Sequence, residues 1–270
     1  MTTARQVADV LESIAPIESG IPGDELGFLW GDPNAPVRGV ACMWNAHTTS
    51  LREAIRRDLN FLLVHEEPFY HVQQSHWYKG PEREEKIIAN QKRRALVEQH
   101  KLVIYRSHSN WDALAVDGVP DQAVRALGIN SLKVVGQQKY FKVHQLPRPM
   151  TVAELAERAR VGLEMPWSPR IFGDATKSIR RFTFLVGGFG GNQIHTPQAA
   201  HELGAEAIIV GEMLEWITIN SLECDMPVIE TLHSLSEIPA LKRQAALLAE
   251  RLPGVRVEYL PSGALAMGTR

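Results

Sequence analysis

Phe61-Leu62-Leu63-Val64 is a run of four apolar residues without alternation, and it stops abruptly at His65-Glu66-Glu67-Pro68. An unbroken apolar run of this length predicts a strand buried on both faces, as in a parallel sheet. The pattern recurs along the chain. Val7, Val10, Leu11 and Ile14 follow Thr2 and Thr3 at helical spacing and predict an amphipathic first helix. Pro16, Gly20, Pro22 and Gly23 mark a loop, and Val37 to Met43 reads as a strand. Leu51, Ala54 and Ile55 mark a helix whose wet side carries Arg52, Glu53, Arg56 and Arg57. Glu82 to Gln99 scatters Ile87, Ile88, Ala95 and Leu96 among many charges, the texture of a surface helix. Leu102 to Tyr105 is the next buried strand. This alternation of strand and helix is that of a parallel α/β unit.

Beyond Gly118 and Pro120 the texture changes. Leu132 to Val135 and Phe141 to Gln145 predict short, mixed strands. Thr151 followed by Glu154 is a capping box that opens a helix through Ala159. Phe182 to Val186 predicts a strand that runs into Gly187-Gly188-Phe189-Gly190-Gly191. The dinucleotide spacing G-x-G-x-x-G fails at Gln193, so these glycines are read as a tight turn with close backbone approach. Pro197 to Leu203 reads as a helix, Ala207 to Val210 as a strand ending in Gly211-Glu212, and Met226 to Ile229 as a short strand. Pro239 belongs in the first turn of a helix, so the last long helix is expected to start near it and run through Leu241, Ala245, Leu248 and Leu252. Val255 to Leu260 is the final strand.

Composition narrows the function classes. The chain has 270 residues and a net charge of -2, so no basic excess exists to bind nucleic-acid phosphates, and no nucleic-acid partner is expected. Its two cysteines, Cys42 and Cys224, form no Cys-x-x-Cys, which excludes a cysteine-rich zinc site and fits a reducing compartment. The first residues, with Arg5, Asp9 and Glu12 among the apolar ones, do not make a signal peptide. No apolar run approaches the roughly 20 residues of a membrane helix. The expectation is a cytoplasmic protein without a membrane partner.

The candidate chemistry stands where predicted strands end, the edge at which open α/β sheets bind ligands. His65 with Glu66, His108 with Asp112, and His233 with Glu237 all follow predicted strands. Each pair alone has a plainer account. His-Glu at a strand end is often solvated loop, Ser109, Asn110 and Asp112 can cap a turn, and Glu237 can serve a helix N-terminus. Three pairs in corresponding positions are harder to dismiss. Three imidazoles and three carboxylates exceed the needs of one tetrahedral zinc and suit two divalent ions bridged by a carboxylate. Nitrogen and oxygen donors without thiolate favour zinc, manganese, iron(II) or cobalt.

In order along the chain stand Val64-His65-Glu66-Glu67-Pro68, His108-Ser109-Asn110-Trp111-Asp112, Gly187 to Gly191, Gly211-Glu212 and His233-Ser234-Leu235-Ser236-Glu237. This series resembles the YbgI-type, or Nif-three-like, dinuclear-metal family, whose members carry the label GTP cyclohydrolase I type 2. The resemblance runs from the first helix to the last strand. It implies metal ligands at His65, Glu66, Asp112, His233 and Glu237, with His108 beside the metals as a catalytic proton carrier or outer partner. Glu66 stands where many members have a second histidine. Glu67 is an extra residue before the proline, so the ligand register is open between Glu66 and Glu67. Glu215 and Trp216 replace the histidines that many members carry after Gly-Glu.

The resemblance further implies an α/β fold of two similar α/β/α lobes related by pseudo-twofold symmetry and interwoven. One lobe would be residues 1–122 plus 228–270, carrying the metals, and the other 123–227, assembled as a homo-hexamer. The implied function is a metal-dependent hydrolase holding two divalent ions per chain (zinc, manganese or iron). Its substrate would be a small molecule, a nucleotide such as GTP, opened at the purine ring. The alternative is a non-catalytic metal-binding, metal-delivery or regulatory protein, and a plain structural metal site is the third reading.

Overall fold

A computed structural model describes residues 1–71, 86–191 and 193–268. In chain order the elements are α1 (Ala4–Ile14), β1 (Gly27–Trp30), β2 (Val40–Met43), α2 (Thr48–Arg56), β3 (Phe61–Val64), α3 (Ile88–Gln99), β4 (Val103–Arg106), α4 (Ser109–Asp112) and α5 (Val119–Ala126). There follow β5 (Lys133–Gln137), β6 (Lys142–Thr151), α6 (Val152–Gly162), β7 (Arg170–Phe172), β8 (Ser178–Phe189), α7 (His195–Glu202), β9 (Ile208–Met213) and α8 (Glu215–Glu223). The chain closes with β10 (Val228–Glu230), α9 (His233–Arg251), β11 (Val257–Tyr259) and α10 (Ala264–Gly268). The expected helix from Glu82 is described only from Ile88; residues 82–85 lie outside the described residues. Among the described residues no helix is long and apolar enough to cross a membrane.

Two sheets result. The first has the order β1-β4-β3-β2-β11. Its β11, β2, β3 and β4 are parallel, and β1 lies antiparallel on β4. The unbroken apolar runs are explained by burial on both sides. Val40, Cys42, Phe61, Leu63, Val103 and Tyr105 face Ala4, Val7 and Leu11 of α1 and Leu248 of α9. The alternate residues Ala41, Met43, Leu62, Val64 and Ile104 face Leu51 and Ala54 of α2 and Val97 of α3. Each such leucine or phenylalanine taken out of water contributes about 1.5–3 kcal/mol. The second sheet has the order β5-β6-β8-β9-β10-β7 and is mixed. β8, β9 and β10 are parallel, whereas β5, β6 and β7 join antiparallel.

The chain forms two compact units, Met1–Trp111 with Leu241–Arg270, and Asp112–Ala240. The boundaries expected at 122/123 and 227/228 therefore differ from those observed. The reasons are local: α5 starts at Val119 and packs on β8, and β10 is hydrogen-bonded between β9 and β7 of the second sheet.

Two local expectations are corrected. The last long helix does not wait for Pro239. The amide of Ser236 already reaches the Leu232 carbonyl at 3.0 Å, so the helix begins at His233 with Pro239 inside it. Gly187 and Gly188 are not a turn after β8 but part of it; the β8–β9 register shifts between Leu185 and Gly188, and Gly187 takes a φ of +79°. That is a bulge at a position only glycine fills without strain. β1 and α8 are not anticipated by the apolar pattern at all. The capping box does form as read: the Thr151 hydroxyl accepts from the Glu154 amide, and Glu154 accepts from the Thr151 amide at 2.7 Å.

Candidate metal centre

β3 and β4 are parallel neighbours with Val64 opposite Arg106, so the residues after each strand emerge side by side. His65 is fully buried, and its Nδ1 lies 3.2 Å from the Ser107 carbonyl. A carbonyl only accepts, so Nδ1 carries the proton and Nε2 the lone pair. The His65 and His108 rings stand edge to face with centroids 4.8 Å apart. Glu66 completes the group: one ligand atom from each of His65, Glu66 and His108 lies within 4.8 Å of the others. Glu67 turns elsewhere, with its carboxylate 3.4 Å from His71 Nε2 and 4.0 Å from Arg106 Nη1. The structure thus brings Glu66, and not Glu67, to the two histidines.

Behind His108 stand two residues whose roles the sequence did not disclose. Asp24 Oδ2 is 2.8 Å from His108 Nδ1 and accepts from the Ser109 amide at 3.2 Å and its hydroxyl at 2.5 Å. Asp24 Oδ1 accepts from Arg106 Nη1 at 2.6 Å. Burial opposes ionisation of Asp24. The hydrogen bonds of His108 and Ser109, and the charge of Arg106, outweigh it and hold the carboxyl far below the usual carboxylate range. Arg106 is also tied to the backbone, donating through Nε to the His65 carbonyl at 3.0 Å. Asp24 sits in the irregular stretch after Gly23, where no periodicity singles out a polar residue.

In the second unit, His233 and Glu237 are one helical turn apart on α9, and His233 Nε2 lies 3.4 Å from Glu237 Oε1. Glu237 is therefore a second-turn residue on the same face as His233, which removes the helix-terminus account of it. His233 Nδ1 lies 3.0 Å from Glu212 Oε1, at the end of β9. The glycines explain themselves here. A Cβ on Gly187 would stand 2.7 Å from Glu237 Oε1, and one on Gly188 would stand 2.9 Å from both Glu212 Oε1 and His233 Nδ1. On Gly211 it would stand 2.3 Å from the Gly187 carbonyl oxygen. Ser236 locks the floor, accepting from the Gly187 amide at 2.9 Å and donating to the His233 carbonyl at 2.7 Å. A cavity of about 400 Å³ opens beside it, lined by Gly188 to Gly190, Glu212, Glu230 and His233.

Asp112 ends α4 and lines a different cavity, of about 500 Å³, with Leu114, Pro120, Asp121 and Tyr140. Among the described residues it joins no group of three close ligand atoms. The donor chemistry of the remaining residues fits divalent ions. All three imidazoles pass Nδ1–H to an oxygen (the Ser107 carbonyl, Asp24 and Glu212) and keep Nε2 as the basic nitrogen. Metal-binding histidines are held in this manner by their outer partners.

A sequence profile of the Duf34/NIF3 (NGG1p interacting factor 3) family matches residues 2–263. The chain belongs to the Duf34/NIF3 family. Within reach of it are two proteins called GTP cyclohydrolase 1 type 2 homolog. That of Clostridium acetobutylicum is 23% identical over 257 residues, covering 93% of this chain and 89% of that protein. That of Clostridium perfringens is 24% identical over 262 residues, covering 95% and 94%. Solved structures of the same fold include a Bacillus cereus protein related to NIF3, with a TM-score of 0.80 at 15% identity over 97% of each chain. Another is protein ybgI, with a TM-score of 0.79 at 18% identity, covering 97% of this chain and all of the other. The resemblance drawn from the ordered motifs of this Duf34/NIF3 chain is thereby established at the level of the family.

Proposed function

We propose that this Duf34/NIF3 protein is a metal-dependent hydrolase with a dinuclear divalent-metal centre. The ligands would be His65, Glu66, Asp112, His233 and Glu237, with His108 beside them as catalytic proton carrier. The observation that carries the reading is a shared geometry: Nδ1 of His65, of His108 and of His233 each lies within 3.2 Å of an oxygen that accepts, an arrangement that leaves Nε2 to a ligand. Two divalent ions held there would supply an acidified water and offset negative charge on the reacting group. The chain's own residues orient and shield. The Gly187–Gly188 backbone admits the His233 and Glu237 side chains at contact distance, and Arg106 fixes the backbone at His65.

The substrate class is a small molecule, and the relatives' name points to a nucleotide such as GTP, opened at the ring. The family likeness also supports zinc, manganese or iron as the ions, two similar α/β/α lobes, a homo-hexamer and a cytoplasmic site of action. A non-catalytic metal-delivery or regulatory role uses the same ligands without turnover. Metal-reconstituted protein assayed against nucleotides, phosphoesters and cyclic amides separates the two. We expect two ions per chain and hydrolysis that Asp112→Asn abolishes. Full metal occupancy with no turnover on any class would overturn the hydrolase and leave the carrier.

A further inference from the structure

His108 and His233 are both oriented by a carboxylate, but the two carboxylates are not equivalent in their own partners. Around Asp24 every neighbour is a donor. Arg106 Nη1 gives to Oδ1 at 2.6 Å, while the Ser109 amide and hydroxyl give to Oδ2 at 3.2 and 2.5 Å. A guanidinium and a backbone N–H have no lone pair to offer, so Asp24 must remain an acceptor at both oxygens. His108 Nδ1, 2.8 Å from Oδ2, must then donate. Glu212 has no such enclosure. Its side chain is 54% exposed and its carboxylate meets His233 Nδ1 through Oε1.

We propose that Asp24 is a positioning residue for His108: it fixes the imidazole in the Nδ1–H tautomer and so turns the basic Nε2 toward Glu66. His108 Nε2 lies 3.8 Å from Glu66 Oε1, the spacing at which one ligand can be shared between them. Because Arg106 also donates to the His65 carbonyl and the Glu25 carbonyl, the same pair ties the loop carrying Asp24 to the residues after β3 and β4. The inference predicts an asymmetry between isosteric amide variants. In Asp24→Asn only one oxygen remains, and the buried Arg106 cation, although its Nη1 also reaches the Glu25 carbonyl at 3.0 Å, holds that oxygen in preference to an NH2 that would face it donor to donor. The new NH2 therefore falls at the Oδ2 position, where the Ser109 amide loses its acceptor, the Ser109 hydroxyl, already accepting from the Ile21 amide at 2.8 Å, can turn to accept a second bond, and His108 can accept only through an unprotonated Nδ1. His108 is thereby driven to the Nε2–H tautomer, with its proton where a ligand should sit. In Glu212→Gln the exposed amide can keep its oxygen on His233 and give its NH2 to water, so the His233 tautomer stays.

The test is solid-state NMR of the metal-free protein with ring-labelled histidine, with signals assigned by difference against His108→Ala and His233→Ala. We expect Nδ1–H at both rings in the natural chain, reversal at His108 in Asp24→Asn, and no reversal at His233 in Glu212→Gln. A competition titration with zinc and a chelator adds a second reading. Asp24→Asn should weaken binding about 10–100-fold and Glu212→Gln less, as loss of outer partners does. In a His108→Ala background, Asp24→Asn should add little, since its effect passes through that ring. An unreversed His108 in Asp24→Asn would overturn the proposal, as would a full further loss in the His108→Ala background. Should Asp24→Asn not fold, the natural chain still decides: Nε2–H at His108 there would overturn it as well. The affinity arm rests on the metal reading, whereas the tautomer arm does not. A natural chain that binds no zinc, manganese or iron yet shows Nδ1–H at His108 therefore counts against the proposed function and for this inference.

Discussion

His108 in the first unit leans on Asp24, whose side chain is 12% exposed and shares a buried ion pair with an Arg106 side chain that is 3% exposed. His233 in the second unit leans on Glu212, which faces solvent, and is held instead from beneath by the backbone of Gly187, Gly188 and Gly211. One imidazole is fixed by a polar network and the other by steric fit. The two devices fail differently. A network fails when one member is removed and its partner is left charged and dry. A steric floor fails when a methyl group is added.

The largest effect should come from breaking the network. Arg106→Leu removes the guanidinium from Asp24 and from the carbonyls of Glu25 and His65. Truncating one partner of a buried pair costs about 3–5 kcal/mol, because the other charge stays buried and unpaired. Urea unfolding should show a loss of that order. A loss below about 1 kcal/mol would mean that water reaches Asp24 and that the first unit is no more dependent on its network than a surface pair is.

Burial sharpens the contrast from the other side, since the second unit carries an acid-sensitive core. His144 on β6 is buried and stacked 5.7 Å from Phe182. Burial lowers its pKa to about 4, Asp121 pulling against this and Lys142 adding to it. The folded state thus keeps His144 neutral where the unfolded chain protonates it near an ordinary 6.5. The unfolded state binds the extra proton as pH falls from 6.5 to 4, so stability is lost across that window and levels off below it. The loss is on the order of 3 kcal/mol, from the gap between those two values. Comparing unfolding midpoints at pH 7 and pH 4.5, His144→Gln should lose less than the natural chain. Equal losses in both would remove His144 from the account.

Gly187→Ala tests the steric floor. Its φ of +79° is strained for any side chain, and the new Cβ would stand 2.7 Å from Glu237 Oε1 and 3.2 Å from His233 Nε2. Strain of this kind costs about 1–3 kcal/mol, and the side chains must move outward as well. We expect weakened metal binding with β8 still formed. Unchanged metal affinity would show that His233 and Glu237 do not rely on contact with the β8 bulge.

What could be read from the letters follows the same division. β3 is legible to its last residue because Phe61 to Val64 is buried on both faces, and such strands advertise themselves. The pairs at His65, His108 and His233 were legible as chemistry at strand ends. β1 escaped because an antiparallel edge strand with a half-buried Phe28, Leu29 and Trp30 after a glycine-rich loop has no clean period. α8 escaped because Trp216, Ile217, Ile219 and Leu222 do not fall on one face. The start of α9 is hidden by Pro239, whose usual place is a first turn, whereas the helix already runs from His233 and tolerates the proline inside it. Asp24 was out of reach, because the fold alone brings it 84 positions along the chain to His108. Glu212 was visible as the end of a strand, but its partner on α9 was not.

The smallest effect on folding should come from Glu212→Ala, the counterpart in the second unit of the Asp24 network. Its carboxylate is more than half exposed, so removing it leaves no buried charge without a partner. Substitutions of that kind usually stay within about 0.5 kcal/mol. The His233 ring should keep its place, because the Gly187 backbone and Glu237 bound it on its Nε2 side. What alanine removes is the acceptor for Nδ1–H, which water can replace at an open surface. Calorimetric unfolding should therefore be nearly unchanged, while zinc affinity falls by less than the roughly 10–100-fold expected of a rigid outer partner. If Glu212→Ala destabilises the protein as much as Arg106→Leu, the two halves are fixed by the same device after all, and the distinction between network and floor fails.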